Sequence, residues 1–354
     1  MSVQTLANVA NILRDKYGNL IEKSFTQRGP GNWLLPEQTF LGLLAKYGKV
    51  YIGGKDAPNG SNGRYAAQWP IQTSTASAVS FDATEPFPAA TPEGFDALAV
   101  LNYKRVGISL EIDNMLRVTG RGEQLVGNVD AFVTEFEAKL RALVDAVEQQ
   151  LASDGTGNSS KDITGFKAFL STSNTYAGIS QSSNSYWRAQ SIAAGSAALS
   201  HSMIRQMIRA LWNQGGITPN LLCVMSMVQW HKYLELHQNL IRYAPGGQTG
   251  VDLKPMISDG NYSIPVVVVY GVPDAEVWFL NLDKIEMRFT SQAALPTEKG
   301  VRVQETSNPN VPNMPVGFES VESGKDTSSL FMKVYGQLVC TNPRYNGIIS
   351  GLAT

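Results

Sequence analysis

The stretch from Asn128 to Gly155 constrains the fold of this chain more than any other. Apolar residues recur along it at steps of three and four, with charged residues between them. The apolar positions are Val129, Phe132, Phe136, Leu140, Leu143, Val147 and Leu151. This spacing predicts one long amphipathic helix over 128–152, with Asn128 as its N-cap and Gly155 in a left-handed turn after its end. At 1.5 Å per residue the helix is about 36 Å long, enough to span a small domain.

The residues before this helix alternate between apolar and polar over an unusual length. A strand over 98–113 would place Val106, Ile108, Leu110 and Ile112 on one face. A second alternating run, which contains Trp69 and Phe81, precedes it across a bend rich in Pro and Gly. Together the runs predict one long two-stranded hairpin over 66–113. Because a lone two-stranded ribbon is marginally stable in water, we expect it to lie on another surface, such as a neighbouring copy of the chain.

The second half of the chain has an α/β pattern. An amphipathic helix over 197–214 is followed by the buried strand NLLCVMS, the helix MVQWHKYLELHQNLIRY and the strands IPVVVVYG, VWFLNL and KIEMRF. The continuous valine run predicts a strand that is buried on both faces. We interpret 191–321 as a second domain inserted into the first, to which the strand-forming tail over 322–354 returns. The predicted fold class is α+β.

Composition and charge exclude several classes of protein. The net charge is −1 and no Lys/Arg cluster stands out, which argues against sequence-specific binding of nucleic acid. Charged residues make up 17% of the chain, below the roughly 25% of typical soluble domains, which favours an exterior partly covered by partners. No stretch approaches the roughly 20 apolar residues of a membrane span, and the first residues lack a secretory signal pattern. Cys223 and Cys340 lie in apolar runs and are predicted to be buried free thiols, which fits a reducing compartment.

The sequence lacks the motifs of catalysis, metal binding and cofactor binding. His231 and His237 are six residues apart, a spacing that does not place both on one helical face for zinc. Neither a GxSxG elbow nor a GxxxxGK[ST] phosphate loop occurs. We therefore predict no catalytic residue, no metal and no cofactor. The alternative from another class is an enzyme whose site lies in the inserted domain and uses Asp252, Asp259 or His237.

The segment after the long helix is polar but carries large aromatic side chains. Tyr176, Tyr186 and Trp187 stand among Ser, Thr, Asn and Gly residues. Large rings in a polar loop are typical of interface anchors. Packing of these rings onto the chain's own core is an equally good interpretation.

The order of these parts resembles a major capsid protein of tailed bacteriophages. Three stretches carry the similarity: NTYAGISQSSNSYWRAQ after the long helix, NLLCVMSMVQWHKYLEL in the inserted domain, and the ending VYGQLVCTNPRYNGIISGL. The resemblance extends over nearly the whole chain. It implies the capsid fold of the HK97 type, in which a long helix forms the spine of a peripheral domain.

The resemblance assigns a role to each part of the chain. It implies an N-terminal arm over 1–35, a short helix and flexible loop over 36–65, the extended β-hairpin loop over 66–113, a peripheral domain over 114–190, an axial domain over 191–321 and a return to the peripheral domain over 322–354. The arm would clasp a neighbouring subunit, the hairpin would lie over an adjacent one, and the axial domain would meet its copies at the capsomer centre. We expect inter-subunit contacts from Trp33, Trp69, Phe81, Phe87, Tyr103, Arg105, Tyr176, Tyr186, Trp187 and Arg188.

The implied function is assembly. Hexamers and pentamers of the chain would close into an icosahedral shell around the genome, in the virion and, during assembly, in the host cytoplasm. The implied partners are copies of the chain, double-stranded DNA held by non-specific contact, a portal, and separate scaffolding and cement or decoration proteins, without a membrane. The alternative that shares the architecture is the shell of a bacterial nanocompartment of the encapsulin type. A tail or cement protein is disfavoured, because those tend to lack a long buried helix.

Two departures from some relatives are visible. Some shells are joined covalently through a lysine on the ribbon, whereas the bend over 82–95 has no lysine and Lys104 lies on an arm. We therefore expect no covalent crosslinks, and boiled shells that ran as a ladder on a denaturing gel would contradict this. Some relatives also carry a long N-terminal scaffolding extension that is removed. Only a short arm precedes the ribbon here, so we expect any scaffolding to be a separate protein.

Overall fold

The computed structural model describes residues 38–52, 66–73, 94, 97–113, 125–241, 256–259, 262–290, 316–322 and 327–354. The helices in these ranges are α1 (Phe40–Lys46), α2 (Leu125–Leu151), α3 (Gly157–Ser160), α4 (Phe166–Leu170), α5 (His201–Asn213) and α6 (Met227–Ile241). The strands are β1 (Val50–Ile52), β2 (Ala66–Ile71), β3 (Ala97–Asn102), β4 (Lys104–Asp113), β5 (Thr175–Tyr176), β6 (Ile179–Ser180), β7 (Gln190–Ala193), β8 (Leu221–Met225), β9 (Met256–Asp259), β10 (Tyr262–Val268), β11 (Glu276–Asn281), β12 (Ile285–Phe289), β13 (Val316–Glu322), β14 (Thr327–Cys340) and β15 (Gly347–Ser350).

Helix α2 is the predicted long amphipathic helix. Its second half buries the predicted apolar face, which includes Leu140, Leu143, Val147 and Leu151. The helix already begins at Leu125, so the prediction of Asn128 as its N-cap is wrong: the residues before Asn128 continue the helical turn. Gly155 has φ +80°, as the predicted left-handed turn requires, and a Cβ there would lie 2.7 Å from the Cα of Thr164.

A five-stranded sheet packs beside α2, with β14 as its central strand. On one side β14 pairs antiparallel with β4, from Thr327↔Asp113 to Gly336↔Lys104. On the other side it pairs antiparallel with β13 and then with β12, and β1 adds to β12 in parallel. Along β4 the predicted alternation is present: Val106 and Leu110 are buried and Ile108 packs partly buried against the main core, whereas Arg105, Ser109 and Glu111 are exposed.

The structure corrects the predicted long hairpin. The run over 98–113 divides near Tyr103 into β3 and β4. Among the described residues of the two arms, β3 pairs with β2, from Ala66↔Asn102 to Ile71↔Ala97. β4 pairs with β14 instead, so the prediction that the whole run forms one hairpin arm is wrong. The apolar face of β4 is buried against α2 and the main core, which satisfies it better than a two-stranded ribbon would.

A six-stranded sheet in the order β7-β15-β11-β8-β10-β9 forms the second layer. One face, with Leu222, Val224 and Trp278, belongs to the main hydrophobic core that also contains α1, α2 and α4. The opposite face, with Cys223 and Phe279, belongs to a second core under α5 and α6. The valine strand β10 is paired on both edges, with β8 and with β9.

The predicted elements of the inserted region are present, but the two sheets share its ends. The helices α5 and α6 and the strands β8, β10, β11 and β12 lie where the pattern predicts them. β12 and β13 join the five-stranded sheet, whereas β15 from the tail joins the six-stranded sheet. Cys223 and Cys340 are both buried and free, as predicted.

Candidate assembly surface

The root of the ribbon, defined as β2 and β3 with Thr73 and Gly94, is anchored in its own chain. The Trp69 Nε1–H donates to the carbonyl oxygen of Thr341 at 3.0 Å, and the Trp69 side chain is 5% exposed. The backbone N–H of Val100 donates to the carbonyl oxygen of Ala177 at 3.1 Å. The pairing continues outward to Thr73, whose N–H donates to the carbonyl oxygen of Gly94 at 2.7 Å. The root of the ribbon is therefore fixed to its own chain, and residues 74–93 and 95–96 lie outside the described residues.

Three of the predicted contact residues instead form an aromatic cluster inside the chain. Trp187 lies between Trp69 and Tyr176, with ring centroids 6.4 and 6.1 Å away, and Phe169 continues the cluster. Tyr176 and Trp187 are 0% exposed. For Trp69, Tyr176 and Trp187 the prediction of an inter-subunit contact is wrong, because their own chain already buries them. The alternative interpretation, packing onto the chain's own core, is the one observed.

The polar groups of this cluster are satisfied within the chain. The Tyr176 hydroxyl accepts a hydrogen bond from the backbone N–H of Cys340 at 2.7 Å, and the Trp187 Nε1–H donates to the carbonyl oxygen of Tyr176 at 3.2 Å. Burial raises the pKa of Tyr176 well above its ordinary value. Burial likewise raises the pKa of the Cys340 thiol, so this sulfur stays protonated and inert.

Arg188 and Tyr186 are half-buried on the loop beside this cluster. The guanidinium of Arg188 donates from Nε to the carbonyl oxygen of Gln181 at 2.8 Å and from Nη2 to that of Ser182. The buried Gln181 in turn donates from Nε2 to the carbonyl oxygen of Ala168 at 2.8 Å. Arg188 thus fixes the loop, and the part of Arg188 and Tyr186 that faces solvent remains available for the predicted contact.

The other predicted contact residues lie on or near the ribbon and the arm. Arg105 is exposed on β4, where its guanidinium lies 5.5 Å from the ring centroid of Tyr335. Tyr103 is half-buried between β3 and β4. Trp33, Phe81 and Phe87 lie outside the described residues.

A cavity of about 480 Å³ opens where the ribbon meets the body. Asn102 and Lys104 line it from the ribbon side, and Asp154, Thr156 and Asn174 line it from the loops that follow α2 and α4. The Lys104 ammonium donates to the carbonyl oxygen of Ser160 and so closes one end. Hydrogen bonds from the hydroxyl and the backbone N–H of Thr156 hold the pKa of Asp154 below its ordinary value. The cavity offers hydrogen bonds to a polar surface but no nucleophile paired with a base.

The described residues hold no cluster for the enzyme alternative. No group of three or more His, Cys, Asp or Glu is placed to hold a metal ion in the part of the chain that the structure describes. Asp252 and the side chains of His237 and Asp259 lie outside the described positions. Among the described helices none is long and apolar enough to cross a membrane.

Glu148 has an environment that sequence periodicity did not reveal. The spacing places it on the charged side of α2, yet its carboxylate accepts hydrogen bonds from the backbone N–H groups of Phe40 and, at 2.9 Å, Leu41 at the start of α1. Burial raises its pKa to about 7, outweighing the two amide hydrogen bonds, which act in the opposite direction. One feature of the sequence could have indicated this environment: α1 has no acidic residue of its own in its first turn, where a negative charge is favourable.

The sequence analysis also missed four large apolar side chains that face solvent. These are Leu98, Trp212, Met227 and Tyr270, with exposed fractions of 54, 55, 54 and 84%. Trp212 and Met227 lie on α5 and α6, the two helices that cover the outer face of the six-stranded sheet. The periodicity of each helix identifies which positions face outward, but it does not show that two such positions are large and apolar.

The chain is similar in fold to solved capsid structures. The chain is similar to the capsid asymmetric unit of cyanophage A-1(L), with a TM-score of 0.66, 18% identity, and coverage of 88% of this chain and 93% of that one. It is also similar to the capsid of an empty GTA particle, with a TM-score of 0.56, 10% identity, and 92% of each chain covered. At these identities the similarity shows the fold alone, which is the α+β capsid fold of the HK97 type. No curated protein sequence matches the chain.

A protein-family model identifies the chain more directly. The model of the SU10 major capsid protein matches residues 110–304, a region that extends from the end of β4 through α2 and past β12 and covers more than half of the chain. Such proteins are structural components of the virion rather than enzymes. The protein therefore belongs to the SU10 major capsid protein family, whose members form the icosahedral capsid shell of a phage.

Proposed function

We propose that the chain assembles as hexamers and pentamers and that its two sheets correspond to two parts of the capsid tile. Membership of the SU10 major capsid protein family carries this proposal. The five-stranded sheet with α2 is the peripheral part, and the six-stranded sheet with α5 and α6 is the axial part around the capsomer centre. The hydrophobic core that joins α1, α2 and one face of the six-stranded sheet supports a tile that moves as one piece.

We propose limits for the two parts that follow the membership of the two sheets. The axial part has its centre in the predicted 191–321 and includes β7 and β15, because both pair within the six-stranded sheet. The peripheral part includes 36–52, most of 114–190 and 327–340, and it also takes β12 and β13 from the inserted region. The segment YAPGGQTGVDLKPMISDG, which lies between α6 and β10, is proposed to line the capsomer axis.

The ribbon and the arm are proposed to supply the contacts between tiles. The ribbon root is fixed to its own chain by Trp69 and Val100. The segment over 74–93, which joins the two strands of this root, is proposed to lie over the adjacent subunit. The arm over 1–35 is proposed to clasp a neighbour. The contact residues retained in this proposal are Trp33, Phe81, Phe87, Tyr103, Arg105, Tyr186 and Arg188.

The further partners follow from the role of a shell. The proposal includes double-stranded DNA packaged with non-specific contact, a portal, and separate scaffolding and cement or decoration proteins. The net charge of −1 supports weak DNA contact, since the chain has no excess of cations to neutralise phosphates.

Negative-stain microscopy of the purified, expressed chain tests the proposal. We expect closed shells or separate rings of six and five subunits. For particles from infected cells, nuclease treatment should leave protected DNA inside, which distinguishes a genome capsid from the shell of a nanocompartment that holds enzymes. A chain that stays monomeric at high concentration, alone and with a scaffolding partner, would contradict the proposal.

A further inference from the structure

The cavity of about 480 Å³ beside the ribbon root, called the root cavity below, has a buried apolar part and an exposed polar mouth. Leu101, Ala168 and Ala177 line it and are each at most 8% exposed. Asn102 and Asn174 also line it, and both are exposed. A partner that fills the root cavity therefore needs an apolar group that enters it and polar groups that stay at the mouth.

The mouth offers hydrogen-bond donors and a positive charge that the chain itself does not pair. The side-chain amides of Asn102 and Asn174, each with two N–H donors, make no hydrogen bond within the described part of the chain. The Lys104 ammonium donates to a neutral carbonyl oxygen, that of Ser160, and makes no ion pair among the described residues. Asp154, the other charged residue of the lining, already accepts two hydrogen bonds from Thr156. The mouth thus suits a segment with free carbonyl oxygens and a negative charge.

The ribbon beyond its root has the composition that such a partner needs. Residues 74–93 contain three acidic residues, Asp82, Glu85 and Glu93, and no basic residue. Positions 86–88 read Pro-Phe-Pro, and this tripeptide is called the ribbon tip below. Proline has no N–H and restricts the residue before it, so the ribbon tip can present the Phe87 ring beside free carbonyl oxygens at a small cost in conformational entropy.

The direction of the root favours a neighbour's cavity over the chain's own. Val100 lines the root cavity, whereas the pairing of the two arms continues away from it to Thr73 and Gly94. Phe87 lies beyond that outer end, 13 positions from Val100 in the sequence. At 3.3 Å per residue an extended strand can place Phe87 up to about 43 Å from its own root cavity. This reach is sufficient to bring the ribbon tip onto an adjacent subunit.

We propose that the ribbon tip of one subunit enters the root cavity of an adjacent subunit. The Phe87 ring fills the apolar part, the side-chain amides of Asn102 and Asn174 donate to carbonyl oxygens of the inserted segment, and Lys104 pairs with Glu85. Every subunit has one ribbon tip and one root cavity, so the contact repeats head to tail between neighbours. The inference rests on the proposed function, in which the ribbon lies over the adjacent subunit, and it names the place where the ribbon is held.

The N-terminal arm is a poorer match for the root cavity. Residues 1–35 contain four basic residues and two acidic ones: Arg14, Lys16, Lys23 and Arg28, against Asp15 and Glu22. This net positive charge does not complement Lys104. The largest apolar side chain of the arm, Trp33, is not flanked by proline and so lacks the restricted backbone of the ribbon tip. Docking of the arm in the root cavity is the outcome from which the test must distinguish the proposal.

Crosslinking between two distinguishable full-length chains is the first test. One chain carries Phe87→Cys, and the other carries Asn174→Cys and an affinity tag. The two chains are mixed before assembly, and the shells are treated with a short bis-maleimide. Cys223 and Cys340 do not compete, because both are buried and burial raises the pKa of both thiols. We expect a crosslinked pair of one tagged and one untagged chain on a denaturing gel.

Two controls accompany the crosslinking. Ser202→Cys replaces Asn174→Cys at an exposed position on α5, away from the root cavity. It should give about ten-fold less crosslinked pair, because only a docked ribbon tip raises the effective concentration of one thiol near the other. Trp33→Cys replaces Phe87→Cys and, if the arm does not occupy the root cavity, should give no more product with Asn174→Cys than the Ser202→Cys control does.

Blocking the mouth is the second test. Asn174→Trp places a large ring there and should lower the yield of closed shells about ten-fold or more, as should Phe87→Ala, which removes the aromatic anchor. Ser183→Trp is the matched control, since Ser183 is exposed on the same loop but does not line the root cavity, and it should assemble like the unmodified chain. Circular dichroism confirms that each variant is folded, and microscopy counts the shells.

Three outcomes would overturn the contact while the unmodified chain still assembles. The tagged and untagged chains could fail to crosslink through Phe87→Cys and Asn174→Cys, or crosslink no better than with Ser202→Cys. The arm variant could give the stronger product. Folded Asn174→Trp could assemble as readily as Ser183→Trp. Failure of the unmodified chain to assemble would count against the proposed function as well.

Discussion

Glu148 is a residue whose charge depends strongly on the surrounding fold. Its carboxylate joins α2 to the first turn of α1, which lies in the main core because Phe40 stacks on Trp278 with ring centroids 5.4 Å apart. Asp145, the exposed carboxylate on the preceding turn of α2, also raises the pKa of Glu148.

The raised pKa of Glu148 predicts that the fold becomes less stable as pH rises. The pKa in the folded chain, about 7, lies above the ordinary value of 4.5, so the folded state binds this proton more tightly than the unfolded state. Tighter binding of this proton contributes at most about 3 kcal/mol to the stability of the fold. This contribution is fully present below about pH 4.5 and is lost as pH rises through about 7. Glu148→Gln should flatten the pH dependence of the unfolding free energy between pH 5 and 8, measured by urea titration. Asp145→Asn should keep most of that dependence. If the unfolding free energy of Glu148→Gln changed with pH as steeply as that of the unmodified chain, the assignment to Glu148 would be contradicted.

Tyr176 provides a second test at the scale of one residue. Tyr176→Phe keeps the ring but leaves the buried N–H of Cys340 without its acceptor, at a cost of about 1–3 kcal/mol. Tyr186→Phe, on the half-buried neighbour of Trp187, should change stability by less than about 0.5 kcal/mol. Urea unfolding of both variants compares them directly. If Tyr176→Phe lost no more stability than the small loss expected for Tyr186→Phe, the hydroxyl of Tyr176 would have no structural role.

At the scale of elements, the junction between α2 and α4 depends on a glycine. A Cβ at Gly165 would lie 2.5 Å from the carbonyl oxygens of Gln150 and Ser153 and would also meet that of Leu151. These carbonyl oxygens belong to the backbone at the end of α2. The Lys167 N–H of α4 donates to the Ser153 carbonyl oxygen at 3.3 Å. The carbonyl groups therefore cannot move away from a new Cβ without separating the two helices.

Gly165→Ala should therefore destabilise the chain by about 3 kcal/mol through overpacking. Gly178→Ala is the matched control: its φ of +82° strains an alanine, but no atom lies within 4 Å of the new Cβ, so the cost should stay near about 1–2 kcal/mol. Thermal unfolding followed by circular dichroism measures both. A smaller effect at position 165 than at position 178 would show that the junction is loose.

Helices and strands were predictable from the sequence where one hydrophobic period dominates. The pairing of strands was less predictable, because more than one strand is a possible partner. The apolar stripe of α2 through Leu140 and Leu151 follows directly from its spacing. The alternation along β4 was also correct, but alternation does not name the partner strand, and β14 lies more than 200 residues away along the chain. For the same reason Trp187 was recognised as an anchor, while its burial against Trp69 depends on a contact that no local pattern encodes.

At the scale of the whole molecule, the fold separates what holds the tile together from what joins tiles. The ribbon root belongs to the first group, since Trp69 is buried and bonded to Thr341 and β3 is bonded to Ala177. The segment over 74–93 and the arm over 1–35 belong to the second group under the proposed function. A change to the contacts that join subunits should therefore leave the fold of each subunit intact, so that the two roles can be measured separately.

Shortening the ribbon tests this separation. Replacement of residues 74–93 by a two-residue Asn-Gly turn preserves the pairing of β2 with β3 and the bond from Trp69 to Thr341. We expect the same far-ultraviolet circular dichroism and an unfolding free energy within about 1 kcal/mol of the unmodified chain, because the deleted residues lie beyond the anchored root. Closed shells should be absent under the microscope, because the segment proposed to lie over the adjacent subunit is gone. A shortened chain that forms closed shells as readily as the unmodified one would show that the ribbon has no part in joining the tiles.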